Sequence, residues 1–327
     1  MWKIKIIMKL DEKDYKLLTY LYSHNREPVT KIAKQCKLTR EQVNYRLNKY
    51  FSEGLIKKIY PVLNYSKLGY NYILVLFLKL NKPSSYKTFS EKLSFSKNCH
   101  SWGKVFGKYD IFANLIFQDE DEFNNYLSKL LENSKNIISD YYILKPFFSE
   151  FYPLKFLNSN EKGNLLFVGE FSEKVKLDKI EIKMLKELSK DARTKLINLA
   201  TKTNISSELA FHKLKKFQNQ KIILGSRIQF DMEKFGYHFS LILLNVQNFT
   251  EETKEKIKKF ARNSKHVNTL NFSLTKPNCI IQLFHKEEIE LRNTIQKIKE
   301  VFAEDVIDLD LMLITDETEK INALPFL

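Results

Sequence analysis

Apolar residues recur every third or fourth position from residue 13 to 25, where Tyr15, Leu17, Leu18, Leu21 and Tyr22 share one face. That spacing predicts an amphipathic helix ending near Pro28. Val29, Ile32, Ala33 and Cys36 mark a short second helix. After the Lys37-Leu38-Thr39 turn, a third helix buries Val43, Leu47 and Tyr50 or Phe51 and stops at Gly54. Thr39 followed by Gln42 has the spacing of a capping box at its start. Three short helices with a tight turn before the last read as a helix-turn-helix unit, and Leu55-Ile56 with Ile59 to Val62 suggests a short wing.

From Tyr72 to Leu78 the pattern changes to a run of apolar residues. It is strand-sized and apolar on both faces, so helices must cover one side and another sheet the other. Helices are expected near 84–96 and 119–133, strands across 101–117 and at 137–144. The order β-α-β-β-α-β is the split ferredoxin-like motif.

Residue 177 begins the chain again. Leu10-Asp11 returns as Leu177-Asp178 and Leu68-Gly69-Tyr70 as Phe235-Gly236-Tyr237, both 167 positions on. A repeat this long is a duplicated domain pair rather than a solenoid unit. In the second copy, strands are expected at 239–246, 268–284 and 305–314 and helices at 250–263 and 286–302. The predicted fold class is α+β, with two winged helix-turn-helix domains (9–70 and 177–237) alternating with two ferredoxin-like domains (71–157 and 238–327). Residues 158–176 form the linker; 158–164 look flexible and 165–168 apolar enough to dock as a strand.

The basic excess of +15 follows the same division. Residues 1–70 carry 15 Lys/Arg against 6 Asp/Glu, and 177–237 carry 13 against 7, while 238–327 carry 12 against 14. A positive surface confined to the helical part of each repeat is the footprint of polyanion binding. Cys36, Cys99 and Cys279 are odd in number and scattered, which fits a reduced cytoplasmic protein better than a disulfide scaffold or zinc ribbon. The six histidines share no ligand spacing, the chain has no apolar run long enough to cross a membrane, and eight glycines leave little material for a phosphate loop. No metal, no cofactor and no enzymatic activity are expected.

The third helix of copy one presents Arg40, Gln42, Asn44 and Tyr45, types that pair with base edges, while Arg46 and Lys49 suit phosphates; Thr39 opens the helix. The matching helix of copy two reads Ser206, Ser207, His212, Lys213 and Lys216. It keeps the frame but exchanges Arg46 for the point charge of Lys213, so it should hold phosphates yet read a different or weaker sequence.

Leu10-Asp11-x-x-Asp14, Leu38-Thr39 with Val43-x-x-Arg46, Glu53-Gly54-Leu55-Ile56, Leu68-Gly69-Tyr70 and Gly107-Lys108-Tyr109-Asp110 together resemble the Lrp/AsnC (feast/famine) transcription regulators. The resemblance implies double-stranded DNA as partner, sensing (RAM) domains that pair through their sheets, here within one chain, and further homo-oligomers. It also implies a cytoplasmic, nucleoid-associated protein and an amino-acid-like effector. Gly107, Tyr109 and Asp110 are the candidate effector residues; a simple β-turn with Asp110 bonded to local backbone is the other reading. The place in copy two reads Thr275-Lys276-Pro277-Asn278, without glycine or carboxylate. Two rival functions share the architecture: a siroheme decarboxylase-like enzyme, and a sequence-tolerant DNA organiser.

Overall fold

The computed structural model describes residues 7–157, 166–168, 172–318 and 321–327. The first helix-turn-helix unit is α1 (Glu12–His24), α2 (Val29–Cys36) and α3 (Arg40–Ser52), followed by β1 (Ile56–Leu63). The first ferredoxin-like domain runs β2 (Tyr72–Leu80), α4 (Tyr86–Ser94), β3 (Cys99–Phe106), β4 (Ile111–Phe117), α5 (Glu120–Glu132), β5 (Ile138–Leu144) and β6 (Pro146–Phe151). Between the copies lies β7 (Leu166–Val168), paired with β6; the stretch 158–164 falls outside the described residues. The second copy comprises α6 (Lys179–Lys190), α7 (Leu196–Thr203), α8 (Ser207–Asn219), β8 (Ile223–Phe230), β9 (His238–Val246), α9 (Glu251–Asn263), β10 (Val267–Ser273), β11 (Cys279–His285), α10 (Glu288–Val301) and β12 (Val306–Glu317). The pairs α2/α7, α3/α8 and β1/β8 start and stop 167 residues apart, so the repeat keeps its register without insertion or deletion between its sequence landmarks.

The strand after α3, expected as a wing, finds its partner in the other repeat. β1 and β8 form an antiparallel two-stranded ribbon with Ile59 opposite Ile228 and Tyr60 opposite Arg227. Arg227 is the repeat-equivalent of Tyr60, so the pseudo-twofold axis passes through this pair. On either side the symmetry is reciprocal: Ala192 N–H donates to Ile59 O, and Asn25 Nδ2 to Ser226 O. α1 packs on β8 and α6 on β1. The core of the first helical domain therefore contains Ile228, Phe230 and Phe235 of copy two, and that of the second contains Leu63 and Tyr65 of copy one.

The two ferredoxin-like domains lie sheet to sheet. Leu74, Leu76 and Leu78 of β2 meet α4 and α5, while Phe77 points the other way, into an inter-sheet layer with Leu241, Leu243, Ile280 and Met312. Burial on both faces is what the unbroken apolar run of β2 required. The sheets also exchange strand ends, since the end of β12 pairs with β3 and β6 pairs with β10. This gives one ten-stranded hydrogen-bonded order, β5-β2-β4-β3-β12-β9-β11-β10-β6-β7. No described helix is long and apolar enough to cross a membrane.

Candidate nucleic-acid interface and the cavity beneath it

Thr39 caps α3 and accepts from Gln42 N–H at 3.2 Å, while Gln42 Oε1 takes the Thr39 N–H at 3.1 Å, completing the expected capping box. Val43, Leu47 and Tyr50 face the core, which leaves Arg40, Gln42, Asn44 and Tyr45 exposed along the opposite face. Tyr45 is 69% exposed. Lys9, Tyr45 and Lys49 rim a shallow surface recess beside this face.

Arg46 is placed differently from the phosphate-facing position expected of it. Its Nη2 donates to Asp11 Oδ2 at 2.8 Å, and its Nη1 to Asp11 Oδ1 at 3.1 Å and to Asp14 Oδ1. Asp11 and Asp14 themselves form the capping box of α1, and Tyr50 Oη donates to Asp14 Oδ1 at 2.5 Å. The guanidinium thus ties α3 to the start of α1. Its hydrogen bonds hold the Asp11 carboxyl at about 2, well below its ordinary value.

Copy two repeats the device with different chemistry. Lys213 Nζ lies 2.6 Å from Asp178 and 3.2 Å from Glu181, and Lys216 lies 2.7 Å from Glu181. Burial alone would raise the Glu181 carboxyl, but the hydrogen bonds from Lys216 and Lys213 carry it downward. Both lysines expected to face phosphate are engaged inside the domain. Ser206 caps α8 by accepting from Leu209 N–H at 3.1 Å, and Ser207 and His212 are exposed. The positions equivalent to Gln42 and Asn44 are Leu209 and Phe211, 41% and 43% exposed, with Lys215 over the Phe211 ring. The outward face of α8 is more apolar than that of α3.

The Gly107–Asp110 turn sits where the sheets meet. Gly107 has φ 149°, and a Cβ there would lie 2.9 Å from the Leu311 carbonyl oxygen of the crossing strand. Tyr109 is buried against Phe77 and Tyr142. Asp110 accepts from Leu80 N–H at 2.8 Å and from Lys79 Nζ at 3.3 Å. In copy two Asn278 accepts from Val246 N–H at 2.8 Å, so the amide reproduces the backbone bond that the carboxylate makes. In both turns the side chain is held by a neighbouring strand of the sheet, Asp110 by the end of β2 and Asn278 by the end of β9.

Beneath the ribbon lies a cavity of about 300 Å³ between the helical domains and the paired sheets. Tyr60, Phe77, Trp102, Phe151, Arg227 and Gln282 are among the residues lining it. His100 also lines it; its Nδ1 lies 2.9 Å from Asn322 O, and burial pushes the imidazole down to about 4. His238, His266 and His285 come together near Glu290, yet no described group of His, Cys, Asp and Glu could hold a metal. The three cysteines are free and buried, and burial pushes the Cys99 thiol up to about 12, which suits packing and not nucleophilic chemistry.

Residues 10–57 match the winged helix-turn-helix DNA-binding family model. An uncharacterised HTH-type transcriptional regulator of Pyrococcus horikoshii, PH0061, is 30% identical over 129 residues, which are 39% of this chain and 86% of that protein. The HTH-type transcriptional regulator FL11 of Pyrococcus furiosus is 27% identical over 118 residues, 36% of this chain and 78% of the relative. Each relative is thus spanned, over most of its length, by well under half of this chain. The crystal structure of the siroheme decarboxylase NirDL superposes at a TM-score of 0.64, with 14% identity, over 97% of this chain and 96% of that one. At that identity the likeness establishes a shared tandem fold. The repeated motifs, the helix-turn-helix match and the identity to whole single-copy regulators lead to one assignment: the chain belongs to the Lrp/AsnC family of transcription regulators, as a tandem duplication of its helix-turn-helix and sensing-domain unit.

Proposed function

We propose that the protein is a DNA-binding transcription regulator in which one polypeptide supplies both halves of the family's dimer. The observation carrying this reading is the pair of outward helix faces: Arg40, Gln42, Asn44 and Tyr45 on α3, against Ser207, Leu209, Phe211 and His212 at the equivalent positions of α8. The first set can make bidentate contacts with guanine and adenine edges; the second cannot match it. One half leads sequence recognition and the other is carried beside it at fixed geometry, because the first helix of each helical domain packs on the ribbon strand that the other copy supplies. Fusion replaces a concentration-dependent dimer by an internal one. Effector control and assembly beyond a single chain belong to the same proposal, supported by family membership.

Selection of bound fragments from genomic DNA at physiological salt tests it. The expected product is a set of sites with one strong half and one weak half. Uniform recovery of all fragments contradicts specific regulation and favours the DNA-organiser reading.

The NirDL superposition supports a second reading, an enzyme acting on siroheme. The cavity is at the small end of ligand sites, and His100 within it is bonded to the C-terminal tail. A titration with siroheme separates the readings: an absorbance shift with decarboxylated product favours the enzyme, and an unchanged spectrum beside tight DNA binding favours the regulator.

A further inference from the structure

Arg227 stands on the pseudo-twofold axis and its side chain lines the cavity, 9% exposed. Its counterpart, Tyr60, carries no charge. Among the described residues Arg227 has no carboxylate partner. Nη2 donates to the Tyr22 hydroxyl and, at 3.3 Å, to Asn268 Oδ1. The guanidinium lies 4.5 Å from the Phe151 ring centroid and 5.2 Å from that of Tyr22. These neighbours are neutral. A cation withdrawn from water among neutral dipoles and rings is costly unless an anion joins it. Desolvation pushes even this strong base down to about 9. Every hydrogen bond of the guanidinium recorded among the described residues leaves from Nη2, so the Nε and Nη1 donors remain for a partner.

The surroundings define the partner's chemistry. Among the described lining residues there is no lysine and no second arginine, and His100 is held neutral by burial, so these residues balance one negative charge and not two. A carboxylate matches the planar fork of arginine with two parallel hydrogen bonds. Phe77, Phe112, Phe151, Leu241 and Ile280 offer an apolar wall for the rest of the molecule, and Asn271 and Gln282 add polar points. Glu317 is the one acidic residue among the described lining residues, and its charge acts on Tyr60. A volume of about 300 Å³ suits a small molecule.

We propose that the cavity on the pseudo-twofold axis binds a small monocarboxylic acid with an apolar body, its carboxylate gripped by Arg227. This site is distinct from the Gly107–Asp110 turn, whose carboxylate is engaged by backbone. Duplication created it, since a dyad built from two identical strands would carry two tyrosines or two arginines face to face. Arg227 touches β10 through Asn268 and the first helical domain through Tyr22 of α1. An acid bound there changes the contacts between the sensing sheet and the α3-bearing domain. Coupling to DNA affinity rests on the regulator reading; the binding itself does not.

The test is thermal unfolding and calorimetry of the full chain in chloride buffer. The probes are butyrate, 4-methylpentanoate and phenylacetate, each beside its isosteric amide, with inorganic phosphate as a further probe. At about ten times Kd the acids raise Tm by about 2–4 °C, and the amides leave it unchanged. Arg227→Met abolishes the shift without lowering the Tm of the free protein, since it removes an unbalanced buried charge. Arg227→Gln, which retains an amide donor toward Tyr22, abolishes it as well and serves if the Met variant misfolds. Equal shifts from acids and amides, a shift surviving in both variants, or response to phosphate alone overturns the proposal. So does the absence of any response to all three acids at ~10 mM, a concentration that detects even millimolar affinity.

Discussion

Arg46 distinguishes a structural ion pair from a DNA contact, and replacing it by methionine separates the two. Methionine keeps the length and apolar stem of the side chain and deletes the fork. Asp14 is 5% exposed and would keep only the Tyr50 hydroxyl and the Asp11 N–H. Breaking a fully buried pair costs about 3–5 kcal/mol, and an exposed one ~0–1 kcal/mol. With Arg46 one-fifth exposed, Asp14 buried and Asp11 in solvent, the expected loss is about 2–3 kcal/mol. Urea unfolding of the full chain followed by circular dichroism reads it directly. Adding Asp14→Asn to Arg46→Met should restore ~1 kcal/mol, because the stranded charge is then gone. Binding of folded Arg46→Met to DNA should fall less than tenfold. A stability change under ~0.5 kcal/mol, together with loss of specific DNA binding, refutes the tie and returns Arg46 to the phosphate backbone.

Other outcomes follow from the same geometry. Lys213→Met should cost less than Arg46→Met, about 1 kcal/mol, because Lys216 remains on Glu181 in the same unfolding assay. Gly107→Ala should destabilise the sensing pair even without ligand, since its Cβ meets the Leu311 carbonyl oxygen at 2.9 Å; an unchanged Tm contradicts this. Burial, followed by the charge of His238, pushes His285 down to about 4, and its Nδ1 has no hydrogen-bond partner among the described residues. A depressed histidine binds fewer protons folded than unfolded, so stability is lost as pH falls from about 6.5 toward 4. His285→Phe should flatten that slope in a Tm–pH series. Lys49→Ala should lower the salt dependence of DNA binding by about one counterion without affecting unfolding.

Much of the architecture was legible because it rests on local patterns. The Thr39–Gln42 box, the apolar run of β2 and the copied Gly-Tyr landmarks each specify a single local solution. The ion pairs of Arg46 and Lys213 do not follow from residue type, although the sequence holds a signal for them: the base follows its two acids by 35 and 32 residues in both repeats. Invariant spacing across an otherwise altered helix points to a bond within the domain. The strand after α3 reads as a local wing because a single strand does not reveal its partner when that partner is 167 residues away. The position of Arg227 is hidden from the sequence for the same reason. Its isolation comes from Tyr22, Phe151 and Asn268, which converge from three distant segments. At the Gly107–Asp110 turn, the carboxylate that could have met an effector satisfies the Leu80 N–H, a long-range bond that residue type alone cannot distinguish from ligand binding.

The central claim is that copy one reads DNA and copy two accompanies it. Gel-shift affinities on a selected site test it most directly, comparing Arg40→Ala with Asn44→Ala against Ser207→Ala with Phe211→Ala in the otherwise intact chain. The account predicts that the first pair abolishes discrimination between specific and random duplex, while the second changes it less than about threefold, or ~0.6 kcal/mol. Equal losses from the two pairs, or a larger loss from the second, would contradict it.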